Sequence, residues 1–301
     1  MPQISVIIRA LNEEKYLGEL LSAVARQKTG SLGVETVLVD SGSTDRTQEI
    51  AKSHGTRITT ISKEDFSFGR SLNIGCDFAR GKFLVFISGH CIPCDDDWLI
   101  RLVQPLMDGC IYTYGRQLGR DTTKFSEQQL FDKYFPATSR IPQEGFFCNN
   151  ANAAMRKDAW TKNHFDEELT GCEDMALAKL LVEQGHKVGY VADAGVFHIH
   201  DETWQQVKRR YEREAIALRS ILPEVQLTRF DLIRFITTAI LKDSKAAFKK
   251  GILMREIHGI IRFRTAQYGG AFKGNREIRR LSQEMKTKYF YPLITDMDIR
   301  N

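Results

Sequence analysis

Two adjacent carboxylates, Glu173 and Asp174, begin a predicted helix that follows Gly171 and ends at Gly185. Acidic residues at a helix N-terminus interact favourably with the helix dipole, and this alone explains such a pair. The chemical interpretation is that one carboxylate faces a crevice and acts as a general base, taking a proton from an attacking hydroxyl. The spacing leaves both interpretations open.

Three histidines that follow or end predicted strands are candidate ligands for a metal ion or a phosphate. His198 and His200 are two residues apart, so on a strand both imidazoles project from one face. His90 follows the apolar run FLVFIS in the tripeptide Ser88-Gly89-His90. Imidazole binds transition metals, although each residue is also explained as an ordinary strand or loop histidine. A metal-dependent hydrolase using His198 and His200 is one alternative, for which further His and Asp ligands are expected.

The second predicted strand ends at Asp40, in the run VDSGSTDRT. In doubly wound folds an acid at this place receives hydrogen bonds from a ribose or a base, because the strand ends open into the ligand crevice. An Asx turn, with Ser43 or Asp45 capping the next helix, also fits the run. The turn ALNEE after the first strand contains no glycine, so the dinucleotide fingerprint is absent, and no P-loop motif occurs.

Six cysteines occur before residue 173, and Cys91 forms a C-x-x-C motif with Cys94. No second pair with zinc-like spacing accompanies it, which disfavours structural zinc or redox chemistry. The chain starts in an apolar strand without a basic leader, and it has no uninterrupted apolar run of about 18 residues. We therefore expect a cytoplasmic protein whose cysteines remain thiols.

These residues must be positioned by a regular alternation of strands and helices. Short β-rich runs at 4–9, 35–40, 57–61 and 82–88 alternate with helical patterns at 13–27, 45–54 and 69–79. This order predicts crossover connections and a mostly parallel sheet with helices on both faces, an α/β fold. A helix at 96–108, a strand at 110–117 and two strands after Gly185 complete the predicted domain.

Charge is distributed unevenly along the chain, whose net charge is +5. Residues 202–301 contain 21 Lys and Arg and 11 Asp and Glu, and therefore carry +10, whereas residues 1–201 carry −5. Two basic amphipathic helices are predicted at 204–222 and 231–261, separated at Pro223. Such helices fit an anionic membrane surface, and they fit equally a helix packed on a catalytic domain with a solvated basic face. No nucleic-acid motif accompanies the charge, so we expect no nucleic-acid partner.

Six segments in a fixed order resemble the family 2 glycosyltransferases of the GT-A fold, especially bacterial rhamnosyltransferase-like enzymes of capsule and O-antigen synthesis. They are SVIIRALNEEKYLGELLSAVARQ, VLVDSGSTDRT, FSFGRSLNIGCDFARGKFLVFISGHCIP, NNANAAMR, GCEDMALAKLL and VFHIH. The resemblance implies a Rossmann-like GT-A domain over 1–201 and a helical appendage over 202–301. It implies inverting transfer of a sugar from a nucleotide donor to a glycan or lipid-linked acceptor. From the basic helices of the last third we expect peripheral attachment at the inner face of the cytoplasmic membrane. A catalytically silent sugar-nucleotide-binding protein is the alternative.

The resemblance also implies roles for individual residues. Asp174 matches the catalytic base, and Glu173 lies beside it in the same motif. Asn150 and Asn152 would face the donor sugar or the acceptor. The residues that would line the nucleotide and diphosphate site are Ala10, Leu11, Asn12, Glu13, Asp40, Arg70, Asn73, Ser88, Gly89 and His90.

The chain departs from the family pattern at the metal-binding D-x-D, whose place is taken by Ser88-Gly89-His90. Losing two carboxylates removes most of the negative charge that holds Mg²⁺ or Mn²⁺. His198 or His200 matches a late histidine of the family that helps to hold metal or diphosphate, and His90 could join it in a site for Mn²⁺. We expect a divalent cation to be used; the alternative is that polar side chains stabilise the leaving diphosphate instead.

Overall fold

The computed structural model describes residues 2–276. The chain divides into two compact units. Within the described residues, the first comprises 2–120 together with Phe131–Glu168 and Glu173–Ile199, and the second comprises Asp121–Leu130, Leu169–Cys172 and 200–276. The segments 121–130 and 169–172 thus belong to the second unit. The sequence predicts a single boundary after residue 201 and does not predict this exchange of segments.

Within the described residues, the first unit is built on a sheet of eight strands. In chain order these are β1 (Ile4–Ala10), β2 (Val34–Asp40), β3 (Arg57–Thr60), β4 (Phe83–Ser88), β5 (Cys91–Pro93), β6 (Tyr112–Leu118), β7 (Asn152–Arg156) and β8 (Val188–His198). Their order across the sheet is β3-β2-β1-β4-β7-β6-β8-β5. The first four strands in this order pair in parallel, as expected. The other half is mixed, because β7 enters antiparallel between β4 and β6, and β5 is antiparallel to β8.

Helices carry the connections between the strands. They are α1 (Leu17–Ala25), α2 (Thr47–Ser53), α3 (Phe68–Phe78), α4 (Trp98–Met107), α5 (Phe125–Tyr134), α6 (Lys157–Lys162) and α7 (Glu173–Glu183). Helix α4 buries Leu99, Leu102, Val103 and Leu106, a helical spacing that places one apolar face on the core. Strand β1 is buried along almost its whole length, as expected for a parallel strand covered on both faces.

The chain after Gly185 forms one strand, β8, where two strands were expected. Its pairing with β6 shifts between Gly115 and Gln117, which are matched by Val191 and Val196. The extra residues of β8 are accommodated in this irregularity, where Asp193 is exposed. A single strand therefore continues through a stretch that resembles a turn in sequence. Helix α5 and strand β7 were not predicted.

The second unit contains α8 (Trp204–Ile221), α9 (Arg229–Lys249) and α10 (Leu253–Asn275). The expectation of one helix over 231–261 is wrong, because the chain turns at Gly251, whose φ of +69° lies in the left-handed region that favours glycine. A buried ion pair joins the last two helices, with Arg264 Nε 2.7 Å from Asp243 Oδ2. Among the described residues, no helix has both the length and the apolar character to cross a membrane.

Candidate active site

Three strands of the sheet end side by side. The register pairs Ala10 of β1 with Asp40 of β2, and Arg9 of β1 with Ser88 of β4. Ala10 is buried and Leu11, the first loop residue, is partly exposed. Because ligands of open α/β sheets bind at the carboxyl ends of parallel strands, this edge is the candidate site.

The loop after β1 and the turn after β2 hold each other in place. Asn12 has a φ of +56°, a left-handed conformation that asparagine tolerates. Its backbone N–H donates to Ser43 Oγ over 2.9 Å, and its Oδ1 accepts from the Thr44 N–H over 2.8 Å. Asp40 is fully buried and accepts from the N–H groups of Gly42 and Ser43. The Asx turn is confirmed, while the nucleoside contacts of Asp40 and Asn12 stay predictions.

The loop after β4 brings three predicted residues together. His90 Nδ1 lies 2.7 Å from Glu13 Oε1, and His90 Nε2 lies 3.2 Å from His198 Nε2. The two imidazole rings are stacked, with centroids 5.2 Å apart. A Cβ on Gly89 would lie 2.8 Å from Glu13 Cγ, so glycine at this position allows Glu13 to reach His90. We call His90 and His198 the histidine pair.

Hydrogen bonds determine which nitrogen of His198 carries the proton. The Ala151 N–H donates to Asn149 Oδ1 over 3.0 Å, which identifies that atom as the oxygen. Gln117 must therefore present its NH₂ group to Asn149 and its carbonyl oxygen to His198 Nδ1, at 2.9 and 2.7 Å. His198 then donates from Nδ1, and the lone pair of its Nε2 is directed at His90.

The histidine pair has the donor set of a transition-metal site. His90 donates from Nδ1 to the Glu13 carboxylate, as His198 does to Gln117. In the neutral state the two Nε2 lone pairs therefore face each other, an arrangement that a proton or a cation between them stabilises. Imidazoles that bind metals characteristically donate their other N–H to such an acceptor. Two imidazole nitrogens suit Mn²⁺ better than Mg²⁺, which prefers oxygen ligands.

Asp174 lies on the first turn of α7 and is 8% exposed. Its Oδ2 accepts from the Asn150 N–H over 2.8 Å, and its Oδ1 accepts from the Met175 N–H over 2.7 Å. Burial, together with the negative charge of Glu173, raises the pKa of Asp174 from 3.8 to about 7. A carboxylate with this pKa can accept a proton near neutral pH, as a general base must.

Glu173 is buried beside Asp174 and is bound by a cation that the sequence reasoning missed. Arg9 Nη1 lies 3.2 Å from Glu173 Oε1, and it also donates to the carbonyl oxygen of Phe68 over 3.3 Å. The Arg9 guanidinium lies 5.0 Å from the centroid of the Phe68 ring. The available signal was an arginine in the otherwise buried strand ISVIIRA, since a lone cation in such a strand needs a partner.

Asn150 lies next to Asp174 and has one unsatisfied group. The residue is 2% exposed, and its Oδ1 accepts from the Tyr112 hydroxyl over 2.5 Å. Its Nδ2 is buried without a hydrogen-bond partner among the described residues. An unsatisfied buried donor costs about 1–3 kcal/mol, which a ligand oxygen can offset.

Two other predicted asparagines have structural roles instead. Asn152 is fully buried, accepts from Trp98 Nε1 and donates to the carbonyl oxygens of residues 116 and 194. Asn73 is buried, and its amide makes four hydrogen bonds to the segment 160–167. Both side chains are hydrogen-bonded within the protein, and their contacts with the donor or the acceptor stay predictions. Arg70 pairs with Glu167 over 2.7 Å and is partly exposed, and its nucleotide contact stays a prediction.

His200 belongs to the second unit, where it takes part in an ionic cluster. Its Nδ1 lies 2.8 Å from Glu127 Oε1, which also accepts from Arg210 Nη2 over 2.6 Å. Burial opposes ionisation of Glu127, but the hydrogen bonds and charges of His200 and Arg210 lower its pKa to about 2. A metal contact by His200 stays a prediction.

The C-x-x-C motif does not have the environment of a reactive site. Burial raises the pKa of the Cys91 thiol well above its usual value and that of Cys94 to about 11. A thiol is a nucleophile and metal ligand as its thiolate, so a raised pKa disfavours both roles. The six cysteines are free thiols in the part of the chain that the structure describes.

An open α/β sheet with a buried carboxylate and an imidazole pair beside its strand ends is the architecture expected of the GT-A class. The family model for glycosyl transferase family 2 matches residues 5–162, more than half of the chain. The chain belongs to this family, as the order of its motifs indicated.

Individual relatives agree with this membership. The chain is 27% identical over 199 residues to the O-antigen chain rhamnosyltransferase WbaN of Salmonella anatum, covering 62% of this chain and 63% of that protein. It is 26% identical over 222 residues to RfbN of Salmonella typhimurium, also an O-antigen chain rhamnosyltransferase. This match covers 69% of this chain and 70% of RfbN. The match thus spans less than two thirds of the length of WbaN.

A solved structure has the same fold. The mannosyltransferase PcManGT from Pyrobaculum calidifontis, in complex with GDP-Man and Mn²⁺, superposes with a TM-score of 0.64 at 14% identity. The superposition covers 92% of this chain and 88% of that chain. The GT-A fold expected from the motifs is therefore confirmed.

Proposed function

We propose that this protein is an inverting glycosyltransferase that moves a sugar from a nucleotide donor to a hydroxyl of a glycan or lipid-linked acceptor in bacterial surface-polysaccharide synthesis. The observation that carries the proposal is the environment of Asp174, a buried carboxylate held by two backbone N–H groups with a pKa of about 7. Family membership and the O-antigen relatives support the reaction class and the pathway type.

Asp174 acts on the acceptor in this mechanism. The acceptor hydroxyl gives its proton to Asp174 while its oxygen attacks the anomeric carbon of the donor. The bond from that carbon to the diphosphate oxygen breaks on the opposite face, and its electron pair leaves with the nucleotide. The backbone N–H groups of Asn150 and Met175 orient the carboxylate. The unsatisfied Nδ2 of Asn150 supports a hydrogen bond from this residue to a hydroxyl of the sugar.

The strand ends supply the donor site. Residues 10–13 and Asp40 would line the nucleoside pocket, and Ser88, Gly89 and His90 would lie at the diphosphate. The histidine pair would hold Mn²⁺, which supplies positive charge for the leaving diphosphate. Glu13 and Gln117 orient the two imidazoles from the other side.

The two alternatives are less well supported. A silent binding protein was suggested by the replaced D-x-D, but the histidine pair offers other metal ligands and Asp174 has the environment of a base. A hydrolase would use His198 and His200 together. The match to glycosyl transferase family 2 favours a transferase over this hydrolase.

Donor turnover tests the proposal without knowledge of the acceptor. UDP, GDP, dTDP and CMP sugars are incubated with the protein in Mn²⁺ or EDTA, and nucleotide release to water or to added glycans is measured. We expect one donor class to react. Asp174→Asn should lose at least about 100-fold in rate, the usual contribution of a general base, while nucleotide still raises its melting temperature.

Asp193→Asn is the matched control, because Asp193 is exposed on β8. It should retain both turnover and binding. Unchanged turnover by Asp174→Asn would remove Asp174 from its role. Nucleotide binding by the wild type without turnover of any donor would favour the silent protein, and cleavage of a glycoside or ester without nucleotide would favour the hydrolase.

The exposed face of α9 supports a membrane partner for the second unit. Four large apolar side chains on this helix are 63–73% exposed, and at 100° per residue they lie within about 80° of its circumference. They are Phe230, Ile233, Leu241 and Phe248. Arg234, Lys245 and Lys249 flank this stripe and are exposed. Apolar side chains beside cations fit an interfacial helix on anionic lipid, so we extend the proposal to peripheral attachment at the cytoplasmic membrane.

Flotation with phosphatidylglycerol and phosphatidylcholine vesicles tests this attachment. The full chain should bind the anionic vesicles at low salt and release as salt rises. The double variant Leu241→Gln, Phe248→Gln should bind at least about 10-fold more weakly, because each buried apolar side chain contributes about 1.5–3 kcal/mol. Leu180→Gln, at an exposed position of α7, is the control. A full chain that remains unbound at low salt would contradict the proposal.

A further inference from the structure

We propose that Arg9 is a positioning residue for the catalytic carboxylates: its ion pair with Glu173 places a positive charge beside Asp174 and so allows Asp174 to act as a base at lower pH. The inference rests on the proposed function, since it assumes that Asp174 accepts the proton of the acceptor. It assigns a role to a residue of β1 that lies outside the nucleotide-binding loops.

The position of Arg9 is determined by three contacts. Its Nη1 lies 3.2 Å from Glu173 Oε1 and 3.3 Å from the carbonyl oxygen of Phe68, and its guanidinium lies over the Phe68 ring. The side chains of Arg9 and Glu173 are only 18% and 4% exposed. Because solvent is largely excluded from this pair, screening of the interaction between Arg9 and Glu173 is weak. The charge of Arg9 also lowers the pKa of Asp174, although burial and the charge of Glu173 have larger effects.

Glu173 and Asp174 are adjacent buried carboxylates, and Arg9 is the cation bound beside them. Two adjacent buried carboxylates without a cation would retain one proton between them to higher pH. Burial and the charge of Glu173 raise the pKa of Asp174, whereas the charge of Arg9 lowers it. With Arg9 present, a larger fraction of the protein carries an ionised base at neutral pH.

Other groups that face the pair do not supply this charge. Tyr112 from β6 and Cys148 from the loop before β7 both interact with the carboxylates. Burial raises the pKa of each well above its usual value, so both remain neutral in the pH range of interest. A change at Arg9 is therefore not compensated by the titration of these neighbours.

The test is the pH–rate profile of donor turnover at saturating Mn²⁺ for the wild type, Arg9→Met and Arg9→Lys. Arg9→Met should move the acid limb upward by about 1 pH unit, the low end of the shift that a neighbouring opposite charge causes, because the charge of Arg9 lowers the pKa of Asp174. Arg9→Lys keeps the positive charge, so the acid limb of its pH–rate profile should lie close to that of the wild type. Arg26→Met, at an exposed arginine after α1, is the control and should leave the profile unchanged.

Glu173→Gln gives a second test with the opposite sign. It removes the like charge beside Asp174 but keeps Arg9, so the acid limb should move to lower pH. This variant also keeps the proposal testable if Arg9→Met does not fold. A uniform loss of rate at every pH in Arg9→Met, or an upward shift in Glu173→Gln, would overturn the role of Arg9. Absence of turnover in the wild type with every donor would instead overturn the proposed function.

Discussion

Replacing Asp174 by asparagine should abolish transfer and, at alkaline pH, stabilise the first unit. Above pH 7 the native protein keeps a carboxylate charge in a buried position next to a second carboxylate. The unfolded chain hydrates that charge without this cost. The asparagine side chain is nearly isosteric and carries no charge, so it avoids the penalty of burying the ionised form.

The magnitude follows from the pKa. The native pKa of Asp174 is about 7 and its ordinary value is 3.8, a difference of about 3 pH units that corresponds to about 4 kcal/mol. Because the native pKa is the higher one, the native state binds more protons between these values, and wild-type stability falls as pH rises from about 4 to about 7. Asparagine cannot accept both backbone N–H bonds, and the lost bond costs about 1–3 kcal/mol at every pH.

The stability difference between variant and wild type should therefore increase by the order of 4 kcal/mol from pH 4.5 to pH 8. Urea unfolding measures it, followed by tryptophan fluorescence in a Trp204→Phe background. The remaining tryptophans, Trp98 and Trp160, both lie in the first unit. Parallel stability curves for the two proteins across this pH range would refute the reasoning, because they would show that Asp174 titrates alike in the native and unfolded states.

Three further changes test the supports of the site and of the second unit. Gln117→Leu removes the acceptor that orients one imidazole of the histidine pair, and should weaken Mn²⁺ binding about 10–100-fold in calorimetric titration. Gly89→Ala places a Cβ 2.8 Å from Glu13 Cγ, and should lower the free energy of unfolding by about 1–3 kcal/mol in urea titration. Asp243→Ala leaves Arg264 buried without its carboxylate, and should destabilise the second unit by about 3–5 kcal/mol, measured by Trp204 fluorescence. A wild-type Mn²⁺ affinity in Gln117→Leu, or a wild-type free energy of unfolding in either of the other variants, would contradict the role given to the contact that the variant changes.

Periodicity in the sequence predicts the elements whose pattern is locally determined. The strands that became β1 to β4 and the helices between them were located to within a few residues, because short β-rich apolar runs, helical periodicity and turn residues mark them directly. The break at Gly251 and the continuous β8 were not predicted. A left-handed glycine inside a helical pattern and a strand irregularity depend on which partners the chain packs against, and the local pattern does not reveal those partners.

The sequence by itself identified the family, the order of strands and helices in the first half, and the chemical types available at the strand ends. Only the tertiary structure decided which of them meet. In the sequence, 77 residues separate Glu13 from His90, and 108 residues separate His90 from His198. Arg9 is separated from Glu173 by 164 residues. Spacing in sequence does not encode such contacts, and it did not show that Asn73 and Asn152 are saturated inside the protein. The raised pKa of Asp174 likewise results from desolvation, a property of the packed structure rather than of the residue.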